Sequence, residues 1–498
     1  MGARVKLPEP DQSIILRRDK IVSALRALVP GGVVADKAGL AAFDGDALTA
    51  YRQSALACVL PNTKAQVCAV LRFAAEEGIA IVPRGAGTSL SGGALPLADG
   101  ILLGLGRMNR ILDIDYDNRC VVTEPGATNL SITRAVEARG FYYAPDPSSQ
   151  IACTIGGNVA ENSGGIHCLK YGLTTHNLMG VELVLPGGDC VTLGGKAPGA
   201  NGLDLLGVVA GSEGLLGVVV EATLRILPKP PVTRTLLAAF NSVPAAGQCV
   251  ADIIAAGIIP AAMEFMDRNC ISAVEDYCSP GYPRDAEGVL IIEADGVAAE
   301  VADAVTRIRE IAGHAGASDV REAQDEPERA RLWAGRKAAF SAMGRLAPDM
   351  LCMDGTIPRY ALPRVLARMA EMSKEYGLGF CNVFHAGDGN LHPLIIFDVM
   401  KEGELVRAEA FGAAILELCV EVGGVLTGEH GVGVEKRDLM PTMFSGVDLA
   451  QQQRLKCAFD HAGLFNPGKV FPTLSACVEL GHMHVKGGRM PFSNLPRF

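Results

Sequence analysis

Closely spaced cysteines are missing from this 498-residue chain. Its 14 cysteines are scattered singly, without the C-x-x-C pairs of zinc ribbons or the repeated C-x-x-C run of iron–sulfur proteins. We interpret them as small buried apolar residues in a reducing compartment. If the chain handles electrons, an iron–sulfur relay must therefore lie on another polypeptide.

A basic surface and long apolar runs are missing as well. Lys and Arg number 45 against 55 Asp and Glu, a formal charge of -10, which excludes the electrostatic footprint of nucleic-acid or anionic-lipid binding. The first residues, MGARVKLP, lack the apolar core of a signal peptide, and charges or glycines interrupt every longer apolar run. We expect a soluble, cytoplasmic protein with no integral membrane segment.

Aromatic residues are few, at 5% of the chain, whereas glycine is frequent, with 58 residues. Hydrophobic residues make up 49% and charged residues 20%. This composition is typical of a compact α/β enzyme and excludes a disordered or fibrous chain. A length of 498 residues is too great for one ordinary core and indicates roughly two to four domains.

Local helix and strand signals become regular from about residue 56. Thr63 and Gln66 form a capping-box pattern before a helical apolar repeat, and Gly78 stands where that helix should end. The apolar run 79–82 then predicts a short buried strand. Strand, helix and strand in this order predict an α/β domain.

Four segments follow from these signals and from one proline-rich boundary. We expect an N-terminal arm at residues 1–55 and a first α/β domain at 56–231. Prolines in 228–231 stiffen the chain and cannot continue a strand, so a second unit begins there and covers 232–425. Residues 426–498 form a C-terminal segment that packs back on the first domain.

Histidines and a carboxylate in glycine-rich turns suggest a metal site. His385 and His392 flank the sequence AGDGNL, and Glu429 and His430 stand between Gly428 and Gly431. Two neutral imidazoles and one carboxylate are the ligand set of an open divalent-metal site. A further ionisable group beside a ligand can move protons.

Other readings of these histidines remain open. They are also explained as satisfied polar groups in turns, since His is often half-buried and short motifs give false positives. Two His and one carboxylate also describe a mononuclear iron oxygenase. In the tail, His482 and His484 favour a surface feature over a metal site.

Glycine-rich stretches in the first domain suggest a large ligand with phosphates. Residues 83–94 follow a strand, where successive N–H groups can surround an anion. They match neither a dinucleotide fingerprint nor a P-loop, because Leu90 and Gly93 occupy decisive positions; a flexible surface loop is the plain alternative. Similar stretches at 154–165 and 211–217 indicate backbone packed closely along that ligand.

These motifs together resemble a known family. The stretches 83–89 (PRGAGTS), 145–147 (PDP), 154–165 (TIGGNVAENSGG) and 211–217 (GSEGLLG) resemble flavoproteins with the vanillyl-alcohol-oxidase, or PCMH, type of FAD-binding domain. Five further motifs resemble the D-2-hydroxy-acid dehydrogenase branch of that family. They are LWAGR at 332–336, DGTIP at 354–358, NVFHAGDGNLHP at 382–393, GEHGVG at 428–433 and NPGK at 466–469. The likeness runs from about residue 15 into the tail.

The resemblance implies a mixed α/β (α+β) fold with a two-lobed FAD-binding domain and a C-terminal α+β substrate, or cap, domain. FAD would lie between the lobes, held without a covalent bond because 84–94 contains no His, with Cys168 as the one reservation. The residues implied at the cofactor are Pro83, Arg84, Gly85, Ala86, Gly87, Thr88, Ser89, Pro145, Asp146, Thr154, Gly156, Gly157, Asn158, Ser163, Gly164, Gly165, Glu213, Gly217, Val218 and Asn466.

The resemblance also implies a chemistry for the histidine motifs. His385, His392 and Glu429 would bind a divalent metal, usually zinc, and His430 would be the base that takes the hydroxyl proton of a 2-hydroxy acid. Arg336 would hold the substrate carboxylate by two parallel hydrogen bonds, although the sequence alone favours a surface charge on a helix.

Substrate and partners follow from the same resemblance. Phe340 and Cys352 stand where relatives with a second substrate carboxylate carry Thr and Lys, so a short monocarboxylate such as glycolate or D-lactate is expected. The expected partners are a second FAD-domain subunit and an iron–sulfur subunit that bring the chain to the inner face of the cell membrane. A stand-alone D-lactate dehydrogenase and a non-catalytic flavin-fold scaffold are the alternatives.

Overall fold

The computed structural model describes residues 7–197, 199 and 202–472, so the tail histidines His482 and His484 lie outside the described residues. Helices and strands both run through the whole described chain, which confirms the predicted mixed α/β class. In the ranges described, no helix combines the length and apolar character that crossing a bilayer requires.

The strands are numbered in chain order. They are β1 Val33–Val34, β2 Ala57–Val59, β3 Ile81–Arg84, β4 Ile101–Gly104, β5 Ile111–Asp115, β6 Cys120–Thr123, β7 Phe141–Tyr142, β8 Leu178–Val184, β9 Cys190–Gly194, β10 Val218–Arg225, β11 Leu227–Pro228, β12 Val232–Phe240, β13 Ala262–Asp267, β14 Gly288–Gly296, β15 Ala317–Glu322, β16 Asp349–Cys352, β17 Gly355–Thr356, β18 Gly379–His385, β19 Asn390–Leu391 and β20 Pro393–Phe397.

The α-helices are numbered in the same way. They are α1 Gln12–Leu16, α2 Arg18–Leu28, α3 Lys37–Leu40, α4 Lys64–Glu77, α5 Asn129–Val136, α6 Ile155–Glu161, α7 Cys168–Tyr171, α8 Thr174–Asn177, α9 Leu205–Val209, α10 Val243–Ala255, α11 Arg268–Cys278, α12 Ala298–His314, α13 Glu326–Ala342, α14 Leu362–Tyr376, α15 Glu404–Glu421, α16 Met440–Met443 and α17 Gly446–Phe459.

A four-stranded sheet forms the first lobe, in the order β1-β2-β4-β3. Helix α4 connects β2 to β3, and its N-cap Thr63 accepts a hydrogen bond from the Gln66 N–H, as predicted. The return half of the predicted capping box is displaced by one residue, because the Gln66 side chain accepts from the Asn62 N–H at 2.7 Å. Gly78 ends the helix in the left-handed conformation, with φ of 68°, which a residue without Cβ adopts at no steric cost.

Residues 7–55 contribute to the core of this lobe. Strand β1 pairs with β2, and the inner face of α2 buries Ile21, Val22 and Leu25 against the first-lobe core. Burial of three large apolar side chains stabilises the lobe by roughly 1.5–3 kcal/mol for each residue. The segment that the sequence suggested as an arm is thus built into the lobe where the structure describes it.

A five-stranded antiparallel sheet forms the second lobe, in the order β5-β6-β10-β8-β9. After it, β11 pairs with β7, and the chain passes through Pro230 and Pro231 into β12. The prolines therefore stand at the change from the second lobe to a third sheet.

The third sheet has nine strands, with β15-β12-β14-β13-β18-β19-β17 in order and β16 and β20 joined to it through β18. Helices α10, α12, α14 and α15 contribute to the apolar core on one side of this sheet. Helices α11 and α13 contribute to the core on the other side. Both faces of β13 and β14 are buried as a result.

The C-terminal segment returns to the first lobe. The N–H of Ile81 donates to Leu464 O at 2.8 Å, and the N–H of Asn466 donates to Ile81 O at 2.8 Å. Phe465 is buried in the core of the first lobe. The loop that carries Glu429 and His430 is thus held between the third sheet and the two lobes: the N–H groups of Val432 and Gly433 donate to Glu213, and the N–H of Val434 donates to Ser91 O.

Candidate active site

A cavity of about 500 Å³ runs between the two lobes and the third sheet. Residues from all three parts of the molecule line it. Of the residues predicted at a cofactor, those on the lining are Pro83, Arg84, Gly85, Ala86, Gly87, Thr88, Ser89, Thr154, Gly156, Gly157, Asn158, Ser163, Glu213, Gly217 and Val218. The predicted metal and catalytic residues on the lining are Arg336, His385, His392, Glu429 and His430.

The loop after β3 shows why glycine is needed here. Gly87 has a φ of +74°, and a Cβ at this position would lie 2.1 Å from the guanidinium Nη2 of Arg84. Any other residue would be strained and would displace Arg84. Glycine at position 87 therefore lets Arg84 and the backbone of this loop lie side by side on the cavity lining.

Five predicted cofactor residues are not on the lining and support it from behind: Pro145, Asp146, Gly164, Gly165 and Asn466. The carbonyl of Pro145 accepts from Asn129 Nδ2 at 3.0 Å, and Asp146 lies 2.9 Å from His167 Nδ1. Asn466 Nδ2 donates to Glu213 O at 2.7 Å. Their neighbours Pro147, Ser148 and Ser149 are on the lining instead.

His385, His392 and Glu429 come together as their motifs suggest. His385 ends β18, and a turn through β19 brings His392 back beside it. The Nε2 atoms of both histidines lie 3.3 Å from Glu429 Oε1, and the three ligand atoms lie within 4.8 Å of one another. His392 Nε2 is buried and, within the described part of the chain, has no hydrogen-bond partner, so the donor set fits a divalent cation.

The charges at this cluster are strongly coupled. Burial alone would lower the pKa of His385, but the charge of Glu264 and hydrogen bonds to Glu264 and Glu429 hold it well above its ordinary value. Burial alone would raise the pKa of Glu429, but a hydrogen bond and the charge of His385 lower it to about 2. A cation that binds between His385 Nε2 and Glu429 therefore displaces a proton.

His430 lies beside this cluster, and its pKa is shifted in the opposite direction to that of His385. Its ring stacks on His392, with centroids 4.9 Å apart and planes 6° from parallel. Burial lowers the pKa of His430 to about 4, so the imidazole is neutral at pH 7. The carboxylates of Asp354 and Glu429 lie 4.0 and 3.9 Å from its ring nitrogens and can stabilise the imidazolium that forms when it takes a proton.

Asp354 was not assigned a role from the sequence, and the structure shows that it holds the Glu429–His430 loop. Its fully buried carboxylate accepts the N–H groups of Gly428 at 3.0 Å and His430 at 2.9 Å, together with the hydroxyl of Thr427. Lys436 Nζ lies 3.5 Å away. The signal in the sequence was the motif DGTIP, but the loop it contacts lies more than seventy residues further on.

We expect Asp354→Asn to destabilise the chain and to disorder this loop. Breaking a buried ion pair costs about 3–5 kcal/mol, here by removing Asp354 from the two carboxylates, Asp354 and Glu435, that pair with Lys436. Thermal unfolding should begin roughly 5 °C or more below the wild type. Asp303→Asn on the exposed face of α12 is the matched control, and an unchanged unfolding profile in Asp354→Asn would contradict the role given to this residue.

Arg336 lies on α13 with 6% of its surface exposed. Its Nε donates to Glu264 Oε2 at 2.8 Å, and its Nη2 forms an ion pair with the same oxygen at 2.6 Å. Among the described residues, Nη1 has no protein partner, and Arg336 lies on the cavity lining. Arg336 is therefore not a surface charge, and two of its nitrogens are already used within the protein.

The positions expected to select the substrate are also on the lining. Phe340 and Cys352 line the cavity, as does Lys337, which sequence reasoning missed. Lys337 is exposed and follows Arg336 on the same helix. A cationic group is thus present on the cavity lining, although Phe340 and Cys352, the positions from which a short monocarboxylate was expected, carry no charge.

Comparison with known proteins identifies the family. A model of the FAD binding domain matches residues 55–194, and a model of the C-terminal domain of FAD linked oxidases matches residues 229–470. Glycolate oxidase subunit GlcD of Escherichia coli (strain K12) is 53% identical over 482 residues, 97% of each chain. This chain belongs to the FAD-linked oxidases. It is an FAD-linked oxidoreductase of the glycolate oxidase and D-lactate dehydrogenase type.

Other relatives agree with this assignment. D-lactate dehydrogenase of Archaeoglobus fulgidus is 33% identical over 420 residues, 83% of this FAD-linked oxidase and 90% of that protein. Among solved structures, p-cresol methylhydroxylase matches with a TM-score of 0.76 and 18% identity, covering 93% of this chain and 97% of the other. These matches confirm the predicted PCMH-type fold and, through the Escherichia coli relative, the resemblance to the FAD-binding catalytic chain of bacterial glycolate oxidase.

The cavity of this FAD-linked oxidase fits its cofactor. Its volume of about 500 Å³ is within the range of small-molecule sites, and its lining includes Gly85, Gly87, Gly156 and Gly157 of the glycine-rich stretches. Cys168, the cysteine that the sequence suggested for a covalent bond, is buried beside Gly164 and is not on the lining. Non-covalent FAD remains our prediction.

Proposed function

We propose that this FAD-linked oxidase converts glycolate, and D-lactate as a second substrate, to the 2-oxo acid. One observation carries the proposal: His385, His392, Glu429, His430 and Arg336 line the same cavity as the glycine-rich FAD loops. A carboxylate-binding group, a candidate metal site and a neutral base then all face one substrate. This constellation counts against the non-catalytic scaffold.

Bound FAD supplies, at flavin N5, the acceptor for the hydride that leaves substrate C2. A divalent cation, zinc in our proposal, would be held by His385, His392 and Glu429 and would supply Lewis acidity toward the substrate hydroxyl. Membership in a flavin family counts against the mononuclear iron oxygenase, which does not need flavin.

Side chains of the protein accept the proton and orient the substrate in this proposal. His430 is neutral at pH 7, so its lone pair is free to accept the hydroxyl proton, and the carboxylates of Asp354 and Glu429 stabilise the charge that results. Arg336 Nη1 binds the substrate carboxylate, while Glu264 holds the other side of the guanidinium. Together these groups fix C2 in one orientation.

We further propose that the electrons leave through partner subunits, one with a second FAD domain and one with an iron–sulfur cluster, to a membrane quinone. Two facts support this: the Escherichia coli relative is named a subunit, and the sequence has no closely spaced cysteines for a cluster. In this proposal the chain acts in the cytoplasm, at the inner membrane face through its complex. A stand-alone D-lactate dehydrogenase is the second candidate, because the Archaeoglobus fulgidus relative has that name.

Anaerobic reduction of the purified chain tests the proposal. The visible absorbance of the flavin is followed while glycolate, D-lactate, L-lactate or D-2-hydroxyglutarate is added separately. We expect fast bleaching by glycolate and slower bleaching by D-lactate. Faster bleaching by D-2-hydroxyglutarate would assign the second carboxylate to Lys337 and overturn the monocarboxylate proposal. Turnover with D-lactate alone would favour the second candidate.

A further inference from the structure

Glu264 is a buried carboxylate in the middle of an apolar strand. Its neighbours on β13 are Met263 and Phe265, all six residues of the strand are buried, and Glu264 itself is 0% exposed. Placing a carboxylate in such surroundings is costly unless it is paired and hydrogen-bonded. The sequence motifs do not explain why this position is acidic.

Sheet register places Glu264 beside the candidate metal site. In the antiparallel pairing of β13 with β18, Glu264 is directly opposite His385, so the two side chains project from the same face. Glu264 Oε1 lies 2.8 Å from His385 Nδ1. A carboxylate that accepts from Nδ1–H leaves Nε2 as the metal-binding nitrogen and fixes the plane of the ring.

The second oxygen of the same carboxylate holds Arg336. Nε of the guanidinium donates to Glu264 Oε2, and Nη2 forms an ion pair with the same oxygen. Because guanidinium is planar, these two contacts fix the direction of the remaining nitrogen, Nη1. One carboxylate therefore sets the orientation of a group on a strand and a group on a helix, and both line the cavity.

We propose that Glu264 is a positioning residue that aligns the substrate-binding arginine with the metal-binding histidine. The distance between the substrate carboxylate and its hydroxyl is set by the substrate, so the two groups that bind them must be held at a matching separation. Glu264 joins them through one side chain. The inference rests on the proposed roles of His385 and Arg336.

Glu264→Gln tests this role while keeping the shape of the side chain. An amide has one accepting oxygen and one donating nitrogen, so it cannot accept from both Arg336 and His385. If the oxygen faces Arg336, the amide nitrogen donates to His385 Nδ1 and the proton of the imidazole moves to Nε2. If it faces His385, an N–H group is directed at the guanidinium. In either case the hydrogen bond that orients one of the two groups, His385 or Arg336, is lost.

Two binding measurements report separately on the orientation of His385 and on the orientation of Arg336. Zn²⁺ affinity is measured by competition with a chromophoric chelator. Oxalate, a carboxylate analogue with no hydrogen at C2, is titrated against the flavin spectrum of the metal-free protein, because oxalate itself chelates Zn²⁺. We expect Zn²⁺ binding to weaken by about 10- to 100-fold, or oxalate binding to weaken by about tenfold or more, with FAD content unchanged. Wild-type values for both would overturn the inference.

Glu293→Gln is the matched control. Glu293 is a buried carboxylate on the adjacent strand β14, pairs with Arg329 of the same helix α13, and is not on the cavity lining. Its loss should reduce stability without weakening Zn²⁺ or oxalate binding. If Glu293→Gln weakens both ligands as much as Glu264→Gln does, the effect is general destabilisation and the inference fails.

Glu264→Asp keeps the charge and covers the case in which the glutamine variant does not fold. The shorter side chain cannot span His385 and Arg336 together, so we expect the same weakened binding, whereas recovery of both affinities would mean that only a buried charge is needed. In the background Arg336→Met, Glu264→Gln should cause no further loss of oxalate binding; an additional loss would contradict action through Arg336.

Failure of the proposed function gives a different pattern. A wild-type chain that binds no Zn²⁺ would remove the metal part of the proposal, yet oxalate binding by Arg336 would still report on Glu264. A wild-type chain that binds both ligands, with Glu264→Gln equal to it, would remove the inference alone.

Discussion

Replacing His430 by glutamine should lower kcat for glycolate by about 100- to 10,000-fold, the usual contribution of a positioned base. Burial holds the pKa of His430 near 4, so the wild-type ring is neutral and able to take a proton at pH 7. Glutamine is uncharged and of similar size but does not accept a proton at this pH. Steady-state rates with an artificial electron acceptor measure the loss.

Two controls make this result specific to His430. FAD content and Zn²⁺ affinity of His430→Gln should equal those of the wild type, because His430 is outside the proposed ligand set. His314→Gln, at the exposed end of α12, should have wild-type kcat. A His430→Gln enzyme that retains more than a tenth of the wild-type rate would exclude this residue as the base.

Removal of the metal should have an effect of comparable size. A Lewis acid contributes several kcal/mol to transition-state stabilisation, so dialysis against a chelator should lower kcat for glycolate by at least about 100-fold. Because the cation displaces a proton between His385 and Glu429, binding should also release a proton, and affinity should rise with pH. Elemental analysis of the purified chain identifies the metal.

Restoring the metal distinguishes its role from simple damage. Added Zn²⁺ should recover the rate of the dialysed wild type. His392→Gln should not recover, since its Nε2 is one of the three ligand atoms, although it should still bind FAD. Full activity in a chain that elemental analysis shows to be free of metal would exclude the metal-assisted mechanism while leaving the FAD-linked oxidation intact.

The sequence determined those parts of this protein that depend on local patterns. The glycine stretches at 83–89 and 154–165 predicted the ligand cavity, because close backbone approach requires glycine at fixed spacing. The capping signals at Thr63 and Gly78 correctly predicted the two ends of helix α4, since capping acts within a single turn. His385, His392 and Glu429 were predicted as one cluster because metals accept few residue types.

Tertiary structure decided what depends on register and on long-range contacts. Nothing near Glu264 in the sequence shows that it lies opposite His385, because strand register is set by the whole sheet. Asp354 acts on a loop more than seventy residues away through backbone N–H groups, which have no sequence signature. Pro145, Asp146 and Asn466 support the cavity from behind, since motif residues can stabilise a loop instead of contacting its ligand.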